Sequence, residues 1–248
     1  MISIKTFEEI SLMREGGKIL SNLLKELEKM IKPGINTLEL DRFAYEYILS
    51  FGAKPSFLHY NGFPCSVCVS INEVLIHGIP QKDIIIKEGD TISVDAGVYY
   101  KGFHTDAART FIVGDIGKEV KKLIEITEKS FFDGIKYAKE GNRLFDISSS
   151  IEKTVTKAGF FVVREYVGHG IGRKLHEEPS IPNYGKAGTG PILKSGMVLA
   201  IEPMVLQKSP RVVTRADGWT VAATNGLTTA HYENTIVVTK DKPEILTI

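Results

Sequence analysis

Cysteine is scarce in this chain, with Cys65 and Cys68 the only two, and a single tryptophan stands at Trp219. The Cys-x-x-Cys spacing makes a poor redox motif, because Val67 to Ile71 reads on as a strand instead of opening a helix. No second pair exists to complete a zinc site, so both are read as small packing residues, one of them lining a pocket. Excess charge is missing too: the net charge is +1 with no basic block, which excludes the electrostatic footprint of a dedicated nucleic-acid binder. No apolar run approaches the roughly 20 residues of a membrane span. Met1 to Lys5 lacks the basic start and apolar core of a signal peptide, so a cytoplasmic protein is expected. What is present is ordinary: 248 residues, 43% hydrophobic and 25% charged, enough for one large core or two modest ones.

The least ordinary stretch is Gly168-His169-Gly170-Ile171-Gly172-Arg173-Lys174-Leu175-His176-Glu177-Glu178-Pro179. Glycines at alternate positions suit a backbone that bends sharply or is approached closely. Although Gly168-x-Gly170 follows an apolar run, a dinucleotide fingerprint fails at Arg173, where its third glycine belongs, and Pro179 and Pro182 forbid the required helix. A His-Glu-x-x-His metal helix fails on spacing. The stretch is read as a turn that aims His169 and His176 into a site assembled from elsewhere, with Glu177-Glu178-Pro179 exposed.

Thr6-x-x-Glu9 is a capping box before a helix running to Pro33-Gly34, and Asn36-x-x-Glu39 caps a second ending at Gly52. An aromatic loop, 55–66, precedes strands at 67–72, 91–100 and 107–113. Helices follow at about 117–139 and 144–158, then strands near 160–167, 197–201, 219–223 and 234–239. The order repeats at one offset. Gly34 matches Gly141, Gly52 matches Gly159, and Lys87-Glu88-Gly89 through Asp95 matches Lys194-Ser195-Gly196 through Glu202, each 107 residues later. One catalytic domain, 1–248, is expected, with two related halves of about 1–114 and 115–248 packed about a pseudo-twofold axis.

Each matched strand ends in an acid, Asp95 or Glu202. A carboxylate closing a buried strand needs a positive partner, and neither strand end supplies Arg or Lys. Each half has a second acid on a later strand: Asp106 lies four residues before Thr110 and Glu233 two before Thr235, so alternation puts both on one face. Four carboxylates with His169 make an oxygen-rich set suited to two divalent ions.

Here the residues carry a family resemblance over nearly the whole chain. Gly168-His169-Gly170-Ile171-Gly172-Arg173 with His176-Glu177, Ile201-Glu202-Pro203-Met204, Asp217-Gly218-Trp219, and Ser70-Ile71-Asn72-Glu73 with His77-Gly78 resemble the type I methionine aminopeptidases. The resemblance implies an α+β pita-bread fold, two pseudo-symmetric halves sharing a curved antiparallel sheet covered by helices. It implies Asp95, Asp106, His169, Glu202 and Glu233 as ligands of two divalent ions (Co, Mn, Fe or Zn), Asp106 and Glu233 bridging them. His77 would flank the scissile amide nitrogen and His176 the carbonyl oxygen, with Glu202 shuttling a proton. Tyr60, Phe63, Cys68, Leu175 and Trp219 would shape a methionine pocket. The implied substrates are N-terminal methionyl peptides and nascent chains with a small second residue, handled by a monomer for which ribosome contact is compatible although no basic patch marks it.

The chain departs from that pattern beside the last acid, where relatives commonly carry Gln and His and this chain has His231 and Asn234. His231, with His59 and His104, is read as structural or surface, although its place beside Glu233 would let it compete for an ion. Two rival readings share the fold: a Xaa-Pro peptidase, which typically carries an N-terminal domain not expected here, and a catalytically silent binding protein, which should have lost ligands.

Overall fold

In the computed structural model, which describes residues 2–248, helix α1 spans Phe7–Met30 and α2 spans Thr37–Ser50. Both expected capping boxes are formed: the Thr6 and Asn36 side chains accept from the backbone N–H of Glu9 and Glu39, whose carboxylates accept in return from the cap N–H. The strands of the first half are β1 (Lys54–Pro55), β2 (Val67–Ile71), β3 (Val74–Ile76), β4 (Thr91–Tyr100) and β5 (Phe103–Ile112). β4 pairs antiparallel with β1, β2 and β5, and its inner face meets α1 and α2 in one core built from Leu20, Leu23, Leu27, Leu40, Ile48, Ile92 and Val94.

The second half opens with α3 (Lys118–Ile135) and α4 (Leu144–Lys157), followed by β6 (Phe160–Val162), β7 (Val167–Gly170), β8 (Glu177–Pro182), β9 (Val198–Ile201), β10 (Met204–Gln207), β11 (Val212–Thr214), β12 (Val221–Ala223), β13 (Thr229–His231), β14 (Asn234–Val237) and β15 (Glu244–Ile245). Its main sheet has the order β15-β14-β9-β7-β8, and smaller sheets run β13-β10-β6 and β11-β12-β3, the last joining the halves. A second core gathers Leu123, Phe131, Ile147, Ile151, Leu199 and Ile236.

The 107-residue offset recurs in the backbone. Gly34 and Gly141, Gly52 and Gly159, and Gly89 and Gly196 all adopt positive φ, which only glycine holds without strain. The isolated bridges Asn36–Ile85 and Arg143–Ile192 repeat at the same spacing.

The halves meet along β5 and the start of β14. Ala108 and Glu233 exchange both backbone bonds at 3.3 and 3.0 Å. Threonine hydroxyls carry the pairing on either side. Thr235 Oγ1 accepts from the Asp106 N–H at 2.8 Å and donates to the Asp106 carbonyl at 2.9 Å. Thr110 Oγ1 accepts from the His231 N–H at 3.0 Å and donates to its carbonyl at 2.8 Å.

Two expectations are corrected. The glycine-rich stretch is not a free turn: His169 lies on β7, and Glu177-Glu178-Pro179 begins β8, with Pro179 buried and Glu177 bonded to Lys5 at 2.6 Å. β8 is an edge strand, where a proline's missing N–H costs no ladder bond. The alternate glycines permit close strands, since a Cβ at Gly168 would press on the Ala200 carbonyl and one at Gly170 on the Glu178 carbonyl. The single strand expected at 160–167 is two, because β6 pairs with β10 and β7 with β9, and the chain crosses between sheets.

Candidate metal centre and substrate cleft

Strand register collects the acids. Asp95 faces Ala108 and Gly97 faces Asp106 across β4 and β5, so the two carboxylates are diagonal neighbours on one face. His169 faces Ala200 across β7 and β9, and Glu202 lies two residues beyond Ala200, which repeats the diagonal. Glu233 arrives from the junction of the halves. These five line the floor of one cleft of about 880 Å³, together with His77, His176, Tyr60, Phe63, Cys68, Leu175 and Trp219. Every site residue expected from the sequence therefore reaches the same cavity.

The floor fits a divalent metal. Asp106 and Glu233 are 4% and 2% exposed, and Asp95 Oδ1, Asp106 Oδ1 and Glu233 Oε1 are sealed from solvent without a hydrogen-bond partner. Among the described residues no Lys or Arg forms an ion pair with any of the four carboxylates; the nearest basic groups are imidazoles. Arg109 is close, but its guanidinium donates to the carbonyls of Ala108, Glu233 and Thr247 and to Asn234 Oδ1. Burial pushes the Asp95 carboxyl up to about 7. Burial, reinforced by neighbouring acids, holds Asp106, Glu202 and Glu233 well above the usual carboxylate range. Only cations let four such groups ionise together. Asp106, His169 and Glu233 bring ligand atoms within 4.8 Å of one another, and so do Glu202, His231 and Glu233.

The imidazoles are set for distinct tasks. His169 Nδ1 lies 2.9 Å from the Gly170 carbonyl, so Nδ1 carries the proton and the Nε2 lone pair faces the carboxylates. His169 is neutral, burial depressing its pKa to about 3. His176 Nδ1 lies 2.8 Å from the Tyr60 hydroxyl, and its ring stands edge-on to His169 with centroids 4.3 Å apart. With Tyr60 donating, Nε2–H of His176 is free to donate into the cleft. His77 sits at φ +57°, a strained conformation for a non-glycine residue. Gly78 follows it because a Cβ there would collide with the Val69 carbonyl. Burial lowers His77 to about 4.

One end of the cleft is apolar. Phe63 and Trp219 meet edge-on at 5.2 Å, and Phe63 packs with Cys65 and Cys68. Both cysteines are free and buried. Burial raises the Cys65 thiol to about 11 and the Cys68 thiol well above its ordinary value, so they pack as uncharged thiols.

Of the two places expected for His231, structural or surface, the structure excludes the surface. His231 is 1% exposed, with Nε2 3.7 Å from Glu202 Oε2 and 3.8 Å from Glu233 Oε2. A signal existed: Asp106 lies four residues before Thr110, and the residue four before Thr235 is His231, so the same count lands on the same face. Asn234 is on the opposite face of its strand, its Oδ1 accepting from Arg109 and from Thr247 Oγ1 at 2.9 Å. His59 is exposed outside the cleft, and half-buried His104 bonds Ser56 Oγ at 2.9 Å. Tyr166, edge-on to His77 at 5.8 Å, lines the cleft without having been anticipated.

The model of metallopeptidase family M24 matches residues 11–240, and the chain belongs to that family of metal-dependent peptidases. Within it, the chain is 54% identical to a methionine aminopeptidase of Clostridium perfringens over 100% of this chain and 99% of that one. It is 51% identical to methionine aminopeptidase 1 of Bacillus subtilis, again over 100% and 99%. The crystal structure of methionine aminopeptidase from Thermotoga maritima superposes with a TM-score of 0.98 at 46% identity, covering 100% of this chain and 99% of the other. A prolidase from Pyrococcus furiosus, at 24% identity and a TM-score of 0.81 over 99% of this chain and 65% of its own, shares the fold. The expected pita-bread architecture is borne out.

Proposed function

We propose that the chain is a metal-dependent aminopeptidase that removes methionine from the N-terminus of peptides and nascent proteins, preferring a small second residue. The observation that carries this reading is the floor of carboxylates, with sealed oxygens and, among the described residues, no Lys or Arg ion pair, beneath a cleft whose far end is apolar and closed by Phe63 and Trp219. Asp95, Asp106, His169, Glu202 and Glu233 would hold two divalent ions, with Asp106 and Glu233 shared. Such ions supply an activated water and polarise the carbonyl under attack.

The chain's own groups position and move the rest. Phe63, Cys68, Leu175 and Trp219 receive an unbranched thioether side chain and exclude water from it. His176, its tautomer set by Tyr60, donates from Nε2 to the carbonyl oxygen as negative charge develops there. His77, held neutral, contacts the scissile amide nitrogen. Glu202, half-buried between two imidazoles, takes the proton of the attacking water and returns it to the leaving amine.

One catalytic domain built of two halves, 1–114 and 115–248, fits the coincidences at the 107-residue offset. The same reading has the enzyme work in the cytoplasm as a monomer on chains leaving the ribosome; no helix of the described residues is long and apolar enough to cross a membrane. Manganese, iron, cobalt and zinc all suit the donor set.

The test is release of free methionine from Met-Ala-Ser and Met-Lys-Ser by chelated protein before and after addition of Mn²⁺ or Co²⁺. Metal-dependent cleavage of the first peptide alone is expected. No cleavage with any metal by a protein that binds two ions refutes the activity, and cleavage of Xaa-Pro peptides alone refutes the substrate.

A further inference from the structure

We propose that His231 is a sixth, direct metal ligand, added to the five residues named above at the end of the centre where its Nε2 meets Glu202 and Glu233. This rests on the dinuclear reading above and departs from the single-histidine ligand set that the sequence resemblance implied. Three observations on independent grounds carry it.

The first is polar satisfaction. Both ring nitrogens of His231 are sealed from solvent and have no hydrogen-bond partner, and a buried imidazole with neither nitrogen engaged is costly. The second is distance. Nε2 stands 3.7 Å from a Glu202 oxygen and 3.8 Å from a Glu233 oxygen, beyond hydrogen-bonding range. Metal–ligand bonds of about 2.1 Å at tetrahedral to trigonal angles put neighbouring ligand atoms about 3.4–3.6 Å apart, close to what is found. His169 shows the same spacing, 3.8 Å from the other oxygen of Glu202 and 3.9 Å from Asp106, so the Glu202 carboxylate offers one oxygen to each imidazole.

The third is register. The pairs Asp106–Thr235, Ala108–Glu233 and Thr110–His231 straddle the junction symmetrically, which makes His231 the counterpart of Asp106. One half fills that position with a carboxylate and the other with an imidazole.

The alternative is a structural His231 that reaches the acids only through water. X-ray absorption fine structure on the full chain loaded with two Co²⁺ separates the two, because imidazole carbons add a distinct scattering signature. The wild-type protein should show about one imidazole per ion, and His231→Gln about half, with one of the two Co²⁺ dissociation constants in calorimetry weakened about tenfold or more. A wild-type count of about half an imidazole per ion, unchanged in His231→Gln, overturns the proposal and leaves the dinuclear centre standing. Uptake of fewer than two ions by the wild type fails the dinuclear reading itself, and the proposal falls with it. Since the wild-type count alone decides, poor folding of the variant does not rescue the idea.

Discussion

Replacing Thr235 by valine keeps the shape of a fully buried side chain and deletes one hydroxyl. That hydroxyl accepts the Asp106 N–H and donates to the Asp106 carbonyl, so its loss orphans a buried donor and a buried acceptor at once. At about 1–3 kcal/mol for each unsatisfied group, the expected cost is about 2–6 kcal/mol. For a chain of this size, about 2–4 °C per kcal/mol turns this into a drop in Tm on the order of 4–24 °C. Thr110→Val is the symmetric counterpart at His231, but Thr110 is only half-buried. Water can replace its hydroxyl there, and the cost should be about 1–2 kcal/mol. Urea unfolding of the metal-free proteins, followed by both far-ultraviolet circular dichroism and Trp219 fluorescence, measures the two. A Thr235→Val protein within about 1 kcal/mol of wild type, or a Thr110→Val protein that suffers more, would refute the claim that these hydroxyls carry the pairing between the halves.

Other tests address charge and tautomer. The Asp95 carboxyl is raised by burial from an ordinary 3.8 to about 7 in the metal-free protein, and burial with neighbouring acids raises Asp106, Glu202 and Glu233 well above their ordinary range. The folded state therefore binds more protons than the unfolded one, and metal-free stability should fall as pH rises from about 4 to 8, with saturating Mn²⁺ removing the trend; flat metal-free stability over that range contradicts the shifts. Glu177 runs the opposite way: burial raises its pKa, but the bond to Lys5 and the Lys174 N–H win and lower it, so its contribution is present above about 4.5 and lost as pH falls through its folded value. Glu177→Gln leaves the Lys5 ammonium, 3% exposed, without its counter-ion, and thermal unfolding should register a loss of about 3 kcal/mol. Tyr60→Phe removes the hydroxyl that fixes the His176 tautomer, and kcat should fall roughly 5- to 20-fold while bound metal per chain stays unchanged. A fall in metal content instead would place Tyr60's effect on the metal floor.

What the chain reveals before folding follows from how local each cause is. Thr6–Glu9 and Asn36–Glu39 were legible because a capping box closes within three residues. The counterpart at Arg143 was less visible: Asp146 does accept the Arg143 N–H, but arginine is not a residue that announces an N-cap. Asp95, Asp106, Glu202 and Glu233 could be read because strand parity and the repeat point to one face. Short strands such as β3, β10 and β13 escaped because three or four residues carry too little pattern, and their partners lie far along the chain. The glycines at 168 and 170 read as a turn in the sequence because their cause, the carbonyls of Ala200 and Glu178, is likewise remote. His231 was legible only as a neighbour of Glu233, because the burial that seals both its ring nitrogens comes from residues remote in sequence.

The junction of the halves also sets a clock. Asp95 and Asp106 come from the first half, His169, Glu202 and Glu233 from the second, and Glu233 is held by backbone bonds to Ala108 across the seam. A ribosome that has completed everything through β9 has built most of the cleft but only the β5 side of the seam. If Glu233 is a ligand as proposed, catalytic competence is deferred during synthesis until β14 settles against β5, and a half-made chain would be unable to trim the N-termini of its neighbours, or its own.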